Sequence, residues 1–314
     1  MKHLDEYRDK DLVNTLIRKI HDRITSPWNI MEICGGQTHS IMRYGLLDLL
    51  PEEIRMIHGP GCPVCVTPVN LIDKAIALAL RKEVTLSSFG DMLRVPGTSD
   101  DLLSAKARGA DVRMVYSPLD ALALAEQMPN RQVVFFAVGF ETTSPAVALT
   151  LSRAKSKGIS NFSVLVAHVL VPPAMRALLS SPDQQIDAFL AAGHVCTVMG
   201  YEEYIPISKE HHIPIVVTGF EPVDLLLGIH MSLEMLENGE TGVKNAYPRV
   251  VRKEGNVHAR KSLETVFEPC DRHWRGIGTI PDSGFKLKPA YRSFDAEQRF
   301  SLEDLHSEES EICI

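Results

Sequence analysis

Three cysteines occupy positions from which they could do chemistry. Cys62 and Cys65 stand three residues apart in "GPGCPVC", and Cys34 opens the stretch "CGGQTH". A thiolate can act as a nucleophile, as half of a redox pair or as a soft metal ligand. The types and spacing of these residues therefore raise three possibilities: a metal site, a redox-active dithiol and inert packing.

The first of these stretches combines Cys34 with two glycines, an amide, a hydroxyl and the imidazole of His39. Glycines allow the backbone to approach a ligand closely, and the polar side chains can donate or accept hydrogen bonds. The stretch lacks the Gly-Lys-Ser/Thr ending of a phosphate-binding loop. The alternative is a buried cysteine before a turn, with His39 as a structural histidine.

The second stretch places Cys65 just before a helix predicted to begin near Thr67 and Pro68. The positive end of a helix favours the thiolate form of a cysteine at that position. A structural zinc site needs four closed ligands, usually from a second such pair, and the chain has none. A reversible disulfide and an open metal site both fit the spacing, and packing remains a third reading.

The other candidates carry weaker signals. Cys196 lies among apolar neighbours and is predicted to be a core residue, whereas Cys270 and Cys313 are isolated. Asp91, Glu141 and Glu221 each follow an apolar run, so they either cap helices or bind a ligand. No Ser-His-Asp order, G-x-S-x-G, H-E-x-x-H or G-x-G-x-x-G motif supports a hydrolase or a dinucleotide-binding protein.

The elements that must position these residues alternate along the chain. Short β-branched runs, typical of strands buried on both faces of a parallel sheet, are separated by helical patterns that often begin with proline. The predicted strands are "IRMIH", "VTLSS", "DVRMVYS", "QVVFFAV", "FSVLVAH", "HVCTVMG" and "IPIVVTG", and "WNIMEI" leads into Cys34. This repeated βα winding predicts an α/β fold.

We predict two Rossmann-like parallel-sheet domains and a third α+β domain made from both chain ends. The "QMPNRQ" stretch at 127–132 is taken as the boundary between the two halves. The predicted segments are 1–53 for the N-terminal part of the third domain, 54–130 and 131–220 for the two α/β domains, and 221–314 for its C-terminal part.

Composition limits the class of protein. The 314 residues are 45% hydrophobic and carry a formal net charge of −7, with no basic cluster, so nucleic-acid and anionic-membrane partners are not expected. No apolar run is long enough to span a membrane, and the N-terminus is too polar for a secretory signal. We therefore expect a cytoplasmic protein whose six cysteines serve metal, redox or packing roles rather than a disulfide framework.

The motifs together resemble those of the HypD family of hydrogenase maturation proteins. The resemblance runs from about residue 10 to the C-terminus, and its motifs are "CGGQTHSI", "GPGCPVCVTP", "FGDMLRVPG", "GFETTSPA", "TGFEP" and "WRGIGTIPDSG". It implies a role in assembling the Fe(CN)2CO unit of [NiFe]-hydrogenase on a complex with HypC. It also implies transient contact with HypE, the cyanide donor, and an indirect link through HypC to the hydrogenase large subunit.

The resemblance also assigns residues. It implies that Cys34 is the iron ligand, shared with a HypC cysteine, and that Cys62 and Cys65 are a redox-active pair. His39, Asp91 and Glu141 fall in motifs that line the family's cleft. The family normally continues into a cysteine-rich segment that holds a [4Fe-4S] cluster, whereas this sequence stops at "EICI", with Cys313 where that segment would begin.

Two functions compete, and nucleotide binding at the Rossmann-like halves is a third that the fold alone permits. The first is an assembly scaffold in which Cys34 binds iron and the Cys62/Cys65 pair supplies electrons or holds a ligand. The second is a thiol-disulfide oxidoreductase that acts on protein substrates through Cys62 and Cys65. The extra thiol motif at Cys34 and the large amount of predicted sheet favour the scaffold over a turnover enzyme.

Overall fold

The structure is a computed structural model that describes residues 5–302. Within this range the strands, in chain order, are β1 (Trp28–Glu32), β2 (Ile54–His58), β3 (Val84–Ser88), β4 (Val112–Met114), β5 (Gln132–Gly139), β6 (Phe162–His168), β7 (Ala188–Ala192), β8 (Pro214–Thr218), β9 (Gly242–Asn245), β10 (Phe267–Trp274) and β11 (Gly278–Leu287).

The α-helices of the same range are α1 (Lys10–Arg23), α2 (Gly35–Arg43), α3 (Val69–Ala79), α4 (Leu102–Ala107), α5 (Pro118–Gln127), α6 (Ser144–Ser156), α7 (Val171–Leu179), α8 (Gly193–Met199), α9 (Tyr204–His211), α10 (Pro222–Glu237), α11 (Val257–Val266) and α12 (Ala296–Arg299). Short 3-10 helices cover Asp5–Tyr7, Leu47–Leu49, Gly90–Arg94 and Pro289–Phe294.

The first compact unit contains residues 5–62 and 174–257. Its sheet has the order β2-β1-β7-β8-β9, and every pair is parallel. The core lies between this sheet and the amphipathic helices α1 and α10, where Ile30, Leu190 and Val216 from the strands meet Ile20 and Ile229 from the helices. Burial of these apolar side chains drives the packing of the layers.

The second compact unit contains residues 63–173 and 258–302. Its parallel sheet has the order β4-β3-β5-β6, and β10 and β11 form a separate antiparallel hairpin. The central strand β5 is buried along almost its whole length, as its unbroken apolar sequence "VVFFAV" predicts. The two parallel sheets with their helices confirm the predicted α/β class.

The assignment of segments to units differs from the predicted halves. The "QMPNRQ" stretch joins α5 to β5 inside the second unit, where β3 pairs with β5 across it. Its proline and asparagine end a helix and form a short loop, which composition alone does not distinguish from a linker. Of the segments near the chain ends, β1 is an inner strand of the first sheet, and the hairpin of β10 and β11 belongs to the second unit.

The predicted strand "HVCTVMG" is wrong. Those residues lie almost wholly in helix α8, and the strand of this region is the preceding segment "AFLAA", β7. Alanine is depleted in strands, so the sequence of β7 hides its structure, whereas the β-branched residues that follow imitate a strand. Cys196 is nevertheless fully buried, so its predicted place in the core is confirmed.

Candidate functional site

The first sheet has a topological switch point between β1 and β7. From β1 the chain turns to β2 on one side, while β8 and β9 extend the sheet on the other side beyond β7. Helices that follow two such strands diverge, so a crevice opens beyond their carboxyl ends, which is where parallel α/β sheets bind ligands. The residues that follow β1 and β7 are therefore the first candidates for a functional site.

Cys34 occupies this position as the N-cap of α2. Its Sγ accepts a hydrogen bond from the Gly36 N–H at 3.3 Å, and its own N–H donates to Gln37 Oε1 at 3.2 Å, which forms a capping box. The Gln37 amide in turn donates to Thr218 Oγ1 at 2.6 Å, at the end of β8. The cysteine is thus held by the first turn of α2 and is linked through Gln37 to the end of β8.

Burial dominates the ionisation of this thiol. Desolvation raises the pKa of Cys34, and nearby negative charge on Glu32 and Cys62 raises it further, while the N–H groups of Gly36 and Gln37 act in the opposite direction. The free thiol is therefore protonated, yet the N–H donors that would stabilise a thiolate are already in place. Binding of a cation at Sγ would supply the missing charge compensation and release the proton.

The glycine-rich loop 59–61 passes directly over the start of α2. The Gly35 N–H donates to the Gly61 carbonyl at 3.0 Å, and a Cβ at Gly61 would lie 2.5 Å from the Gly35 nitrogen. Only glycine permits this approach of one backbone to another. The contact brings the segment that ends in Cys62 to the N-terminus of the helix that Cys34 caps.

A buried carboxylate lies two residues before the cysteine. Glu32, the last residue of β1, is fully buried, and its Oε1 accepts from Thr38 Oγ1 and lies 2.5 Å from His58 Nδ1. Burial raises the pKa of Glu32, against the effect of these hydrogen bonds. Its Oε2 has no hydrogen-bond partner among residues 5–302, and the His58 side chain is 45% exposed.

His194 is the residue that the sequence analysis missed. It lies in the first turn of α8, directly after β7, with Nε2 3.8 Å from Cys34 Sγ and its ring packed 5.0 Å from the Phe220 ring. Desolvation lowers its pKa, so the imidazole is neutral. A correct placement of β7 would have put this histidine at a strand end, which is the signal that could have identified it.

The predicted site residues divide between the two units. Cys34, His39 and Cys62 belong to the first unit, and Cys65, Asp91 and Glu141 belong to the second. His39 is exposed on α2. Cys62 and Cys65 are both half-buried and neither forms a disulfide, and the division between the units falls in the sequence between them.

Asp91 and Glu141 each follow a strand, as predicted from the sequence, and these strands, β3 and β5, are neighbours in the second sheet. Asp91 is exposed in the 3-10 helix after β3, and Glu141 is buried two residues after β5. Glu141 Oε1 accepts a hydrogen bond from the Val171 N–H at 2.8 Å. The switch point of this sheet lies between β3 and β5, because β4 lies on the other side of β3 and β6 lies on the other side of β5.

Two further findings concern the described part of the chain. Residues 5–302 contain no group of three or more His, Cys, Asp or Glu side chains arranged to hold a metal ion. In the same range, every helix is too short or too polar to cross a membrane.

Comparisons with known proteins place this geometry in context. The model of the family HypD, described as "Hydrogenase formation hypA family", matches residues 11–314. The chain is 46% identical over 323 residues to hydrogenase maturation factor HypD2 of Bradyrhizobium diazoefficiens, covering 100% of this chain and 85% of that protein. It is 47% identical over 324 residues to HypD of Rhizobium leguminosarum bv. viciae, covering 100% of this chain and 84% of the relative. For HypD of Escherichia coli the identity is 48% over 310 residues, covering 96% and 83%.

Proposed function

The chain belongs to the HypD family of hydrogenase maturation factors, and we propose that its Cys34 thiol holds the iron while the Fe(CN)2CO unit of [NiFe]-hydrogenase is assembled. The iron is a cargo that must be passed on, so an open site suits it better than a closed structural one. A soft thiolate is the appropriate protein ligand for iron that carries CO and cyanide.

The observation that carries this proposal is the setting of Cys34. The thiol stands at the switch point of the first sheet, with the Gly36 N–H directed at Sγ and the neutral imidazole of His194 3.8 Å away. In the proposal, iron binding displaces the thiol proton, and the N–H groups of the first turn of α2 stabilise the thiolate. His194 then orients the sulfur, as groups behind a metal ligand commonly do.

The iron requires ligands beyond those that residues 5–302 supply. Residues 5–302 offer no group of three or more ligating side chains, so the remaining coordination positions would be filled by the CO and cyanide ligands and by a HypC cysteine. HypE would act transiently as the cyanide donor. The hydrogenase large subunit would receive the completed unit through HypC.

Cys62 and Cys65 form the second part of the proposal. Both are half-buried cysteines in the reduced form on one short loop, and oxidation of such a dithiol to a disulfide releases two electrons and two protons. We assign them as a redox-active pair that serves assembly at Cys34. The charge of Cys62 raises the pKa of Cys34, which supports a Cys62 thiol close to the proposed iron ligand.

The described cysteines do not fit a [4Fe-4S] cluster. The remaining described cysteines are Cys196, buried in α8 of the first unit, and Cys270, on β10 of the second unit. The residues of the range 5–302 therefore do not provide a four-cysteine ligand set. Cys313, where the cluster segment of the family was expected to begin, lies outside the described residues.

Iron content of the complex tests the proposal. The chain and HypC are co-produced in a strain that lacks its own HypD, purified without oxygen and assayed for iron, together with variants Cys34→Ala and Cys196→Ala. We expect Cys34→Ala to lower iron at least about tenfold, because the thiolate proposed to hold the iron is gone, while Cys196→Ala retains it. Equal iron in wild type and Cys34→Ala, with the complex intact, would contradict the proposal.

A further inference from the structure

The first unit has a cleft at the edge of its sheet opposite to Cys34. Trp28, Asp187 and Pro214 line this cleft, and they stand where β1, β7 and β8 begin, whereas Cys34 follows the carboxyl end of β1. The volume of the cleft is about 350 Å³. Small-molecule sites of proteins have volumes of roughly 300–1,000 Å³. The cleft is therefore large enough for an organic ligand.

Trp28 is the largest apolar side chain of the wall, and its ring is fixed in place. The indole N–H donates to Glu237 Oε1 at 2.9 Å. Hydrogen bonds from the Thr25 hydroxyl and the Thr25 N–H lower the pKa of Glu237 to about 2, so this carboxylate is charged. An aromatic face attracts cations, and the nearby negative charge of Glu237 adds to that attraction. The other apolar side chains of the wall are those of Leu179, Ile186, Ile213 and Leu236.

Asp187 places a carboxylate on the wall that no basic side chain neutralises. The Asn29 N–H donates to its Oδ2 at 2.8 Å, which holds the carboxylate beside the start of β1. Within residues 5–302 this is the only hydrogen bond of the side chain, and no lysine or arginine forms an ion pair with it. Oδ1 is therefore open to a ligand that donates hydrogen bonds. Such a bond is strengthened when the acceptor is a charged carboxylate.

Three helices end at the cleft. Helices α7, α9 and α10 end at Leu179, His211 and Glu237, and Leu179 and His211 themselves line the cleft. The carboxyl ends of helices carry partial negative charge. Among the described residues no lysine or arginine lines the cleft, and the exposed Glu240 on its wall is bound to Lys244 at 3.0 Å. The electrostatic potential of the cleft therefore favours a cation.

We propose that this cleft binds a small organic cation that carries a guanidinium group on an apolar body. A guanidinium can donate two hydrogen bonds to one carboxylate and stack on an aromatic ring, and it is less strongly hydrated than an ammonium. The Asp187 carboxylate and the Trp28 ring provide these two partners. A bare metal ion is not the expected ligand, because residues 5–302 contain no group of three or more ligating side chains.

Calorimetric titration of the full-length protein with butylguanidinium tests this site. Butylurea has nearly the same shape but no charge, and butylammonium has the charge without the planar fork of donors. The titrations are made at pH 8, so that the imidazoles of His211 and His212 on the wall add no positive charge. We expect saturable binding of one butylguanidinium per chain, with butylurea at least about tenfold weaker and butylammonium intermediate.

A pair of charge variants locates the bound cation. Asp187→Asn keeps an oxygen for the Asn29 N–H but loses the charge, so it should weaken butylguanidinium binding at least about tenfold. Asp183→Asn is the matched control, because it removes an equal charge from an exposed position of the same loop that does not line the cleft. This variant should bind as the wild type does.

Cys34→Ala separates this inference from the proposed iron site. It should bind butylguanidinium with the affinity of the wild type, since the cleft lies at the other edge of the sheet, so the inference stands or falls independently of iron binding. The absence of saturable butylguanidinium binding to the wild type would overturn the proposal. So would butylurea binding as tight as that of butylguanidinium, or equal affinity in Asp187→Asn and Asp183→Asn.

Discussion

The two parallel sheets have comparable switch points that are equipped for different chemistry. Beyond β1 and β7 of the first sheet lie a thiol and an imidazole, Cys34 and His194, 3.8 Å apart. Beyond β3 and β5 of the second sheet lie two carboxylates, the exposed Asp91 and the buried Glu141. The first arrangement suits a soft metal ion, whereas the second sheet offers no thiol at a strand end.

The histidines of the two units show why residue type alone does not define a site. His168, the last residue of β6, is fully buried, and neither ring nitrogen has a hydrogen-bond partner within residues 5–302. The Phe267 ring packs edge-on against it at 5.5 Å, and burial lowers its pKa to about 3. His194 contacts a thiol instead. Accessibility and the neighbouring group, rather than the imidazole itself, separate a core residue from a site residue.

The largest effect should come from the glycine that closes the loop over α2. A Cβ at Gly61 would collide with the Gly35 nitrogen at 2.5 Å, so Gly61→Ala should displace the start of α2 and abolish hydrogenase maturation in a strain that lacks its own HypD. Gly35→Ala is the matched control, because its Cβ would lie 3.5 Å from the Gly61 oxygen, an ordinary contact. Equal activity of both variants would show that this approach is not needed.

The second prediction concerns His194 and His168, each replaced by phenylalanine. His194→Phe should lower the iron content of the HypC complex about tenfold, because residues that orient a metal ligand typically affect metal affinity by this amount. His168→Phe should leave the iron content unchanged, since the His168 ring packs against Phe267 and neither of its nitrogens forms a hydrogen bond within residues 5–302. Circular dichroism of both variants checks that the fold persists. Loss of iron in His168→Phe, with iron retained in His194→Phe, would contradict this prediction.

The third prediction concerns the stability of the folded protein in acid. The pKa of His168 is about 3 in the folded protein and about 6.5 when unfolded, so the unfolded state binds more protons between these values. The contribution is fully present above pH 6.5 and is lost as the pH falls towards 3. From pH 7 to pH 5 the wild type should lose about 2 kcal/mol more unfolding free energy than His168→Phe.

Urea denaturation at the two pH values measures this difference. The two proteins share every other titrating group, so the comparison isolates His168. An equal loss of unfolding free energy from pH 7 to pH 5 in wild type and His168→Phe would mean that the His168 imidazole is accessible to protons in the folded state.

The smallest effect concerns the order in which the thiols react. Cys34 is 9% exposed and its pKa is raised by burial, whereas Cys62 and Cys65 are half-buried. At neutral pH, iodoacetamide should therefore modify Cys34 several-fold more slowly than Cys62. Peptide mass spectrometry after short exposures measures the rates. Faster reaction at Cys34 than at Cys62 would contradict the described burial of the thiol.

Much of this architecture was predictable from the sequence because local patterns encode it. The apolar runs gave most strands, and the position of Cys34, Asp91 and Glu141 after such runs indicated strand ends. The partition into units was not predictable, because β1 pairs with β7, which is far away in sequence. The sequence of neither strand indicates its pairing partner.

Two further residues escaped for local reasons. The alanine-rich sequence of β7 has low β-propensity, so His194 was placed inside a strand rather than at the end of one. Asp187 lies in the loop between α7 and β7, and only the fold shows that it meets Asn29 and lines a cleft with Trp28. Both residues depend on long-range contacts that no window of sequence contains.

Infrared spectroscopy reports directly on the ligands of the iron. The anaerobically purified complex of the chain with HypC is compared with the same complex carrying Cys34→Ala or Cys196→Ala. Because CO and cyanide bound to iron absorb in a region free of protein bands, we expect both sets of bands in wild type and Cys196→Ala and neither in Cys34→Ala. Full CO and cyanide bands in Cys34→Ala would contradict the assignment of Cys34 as the iron ligand.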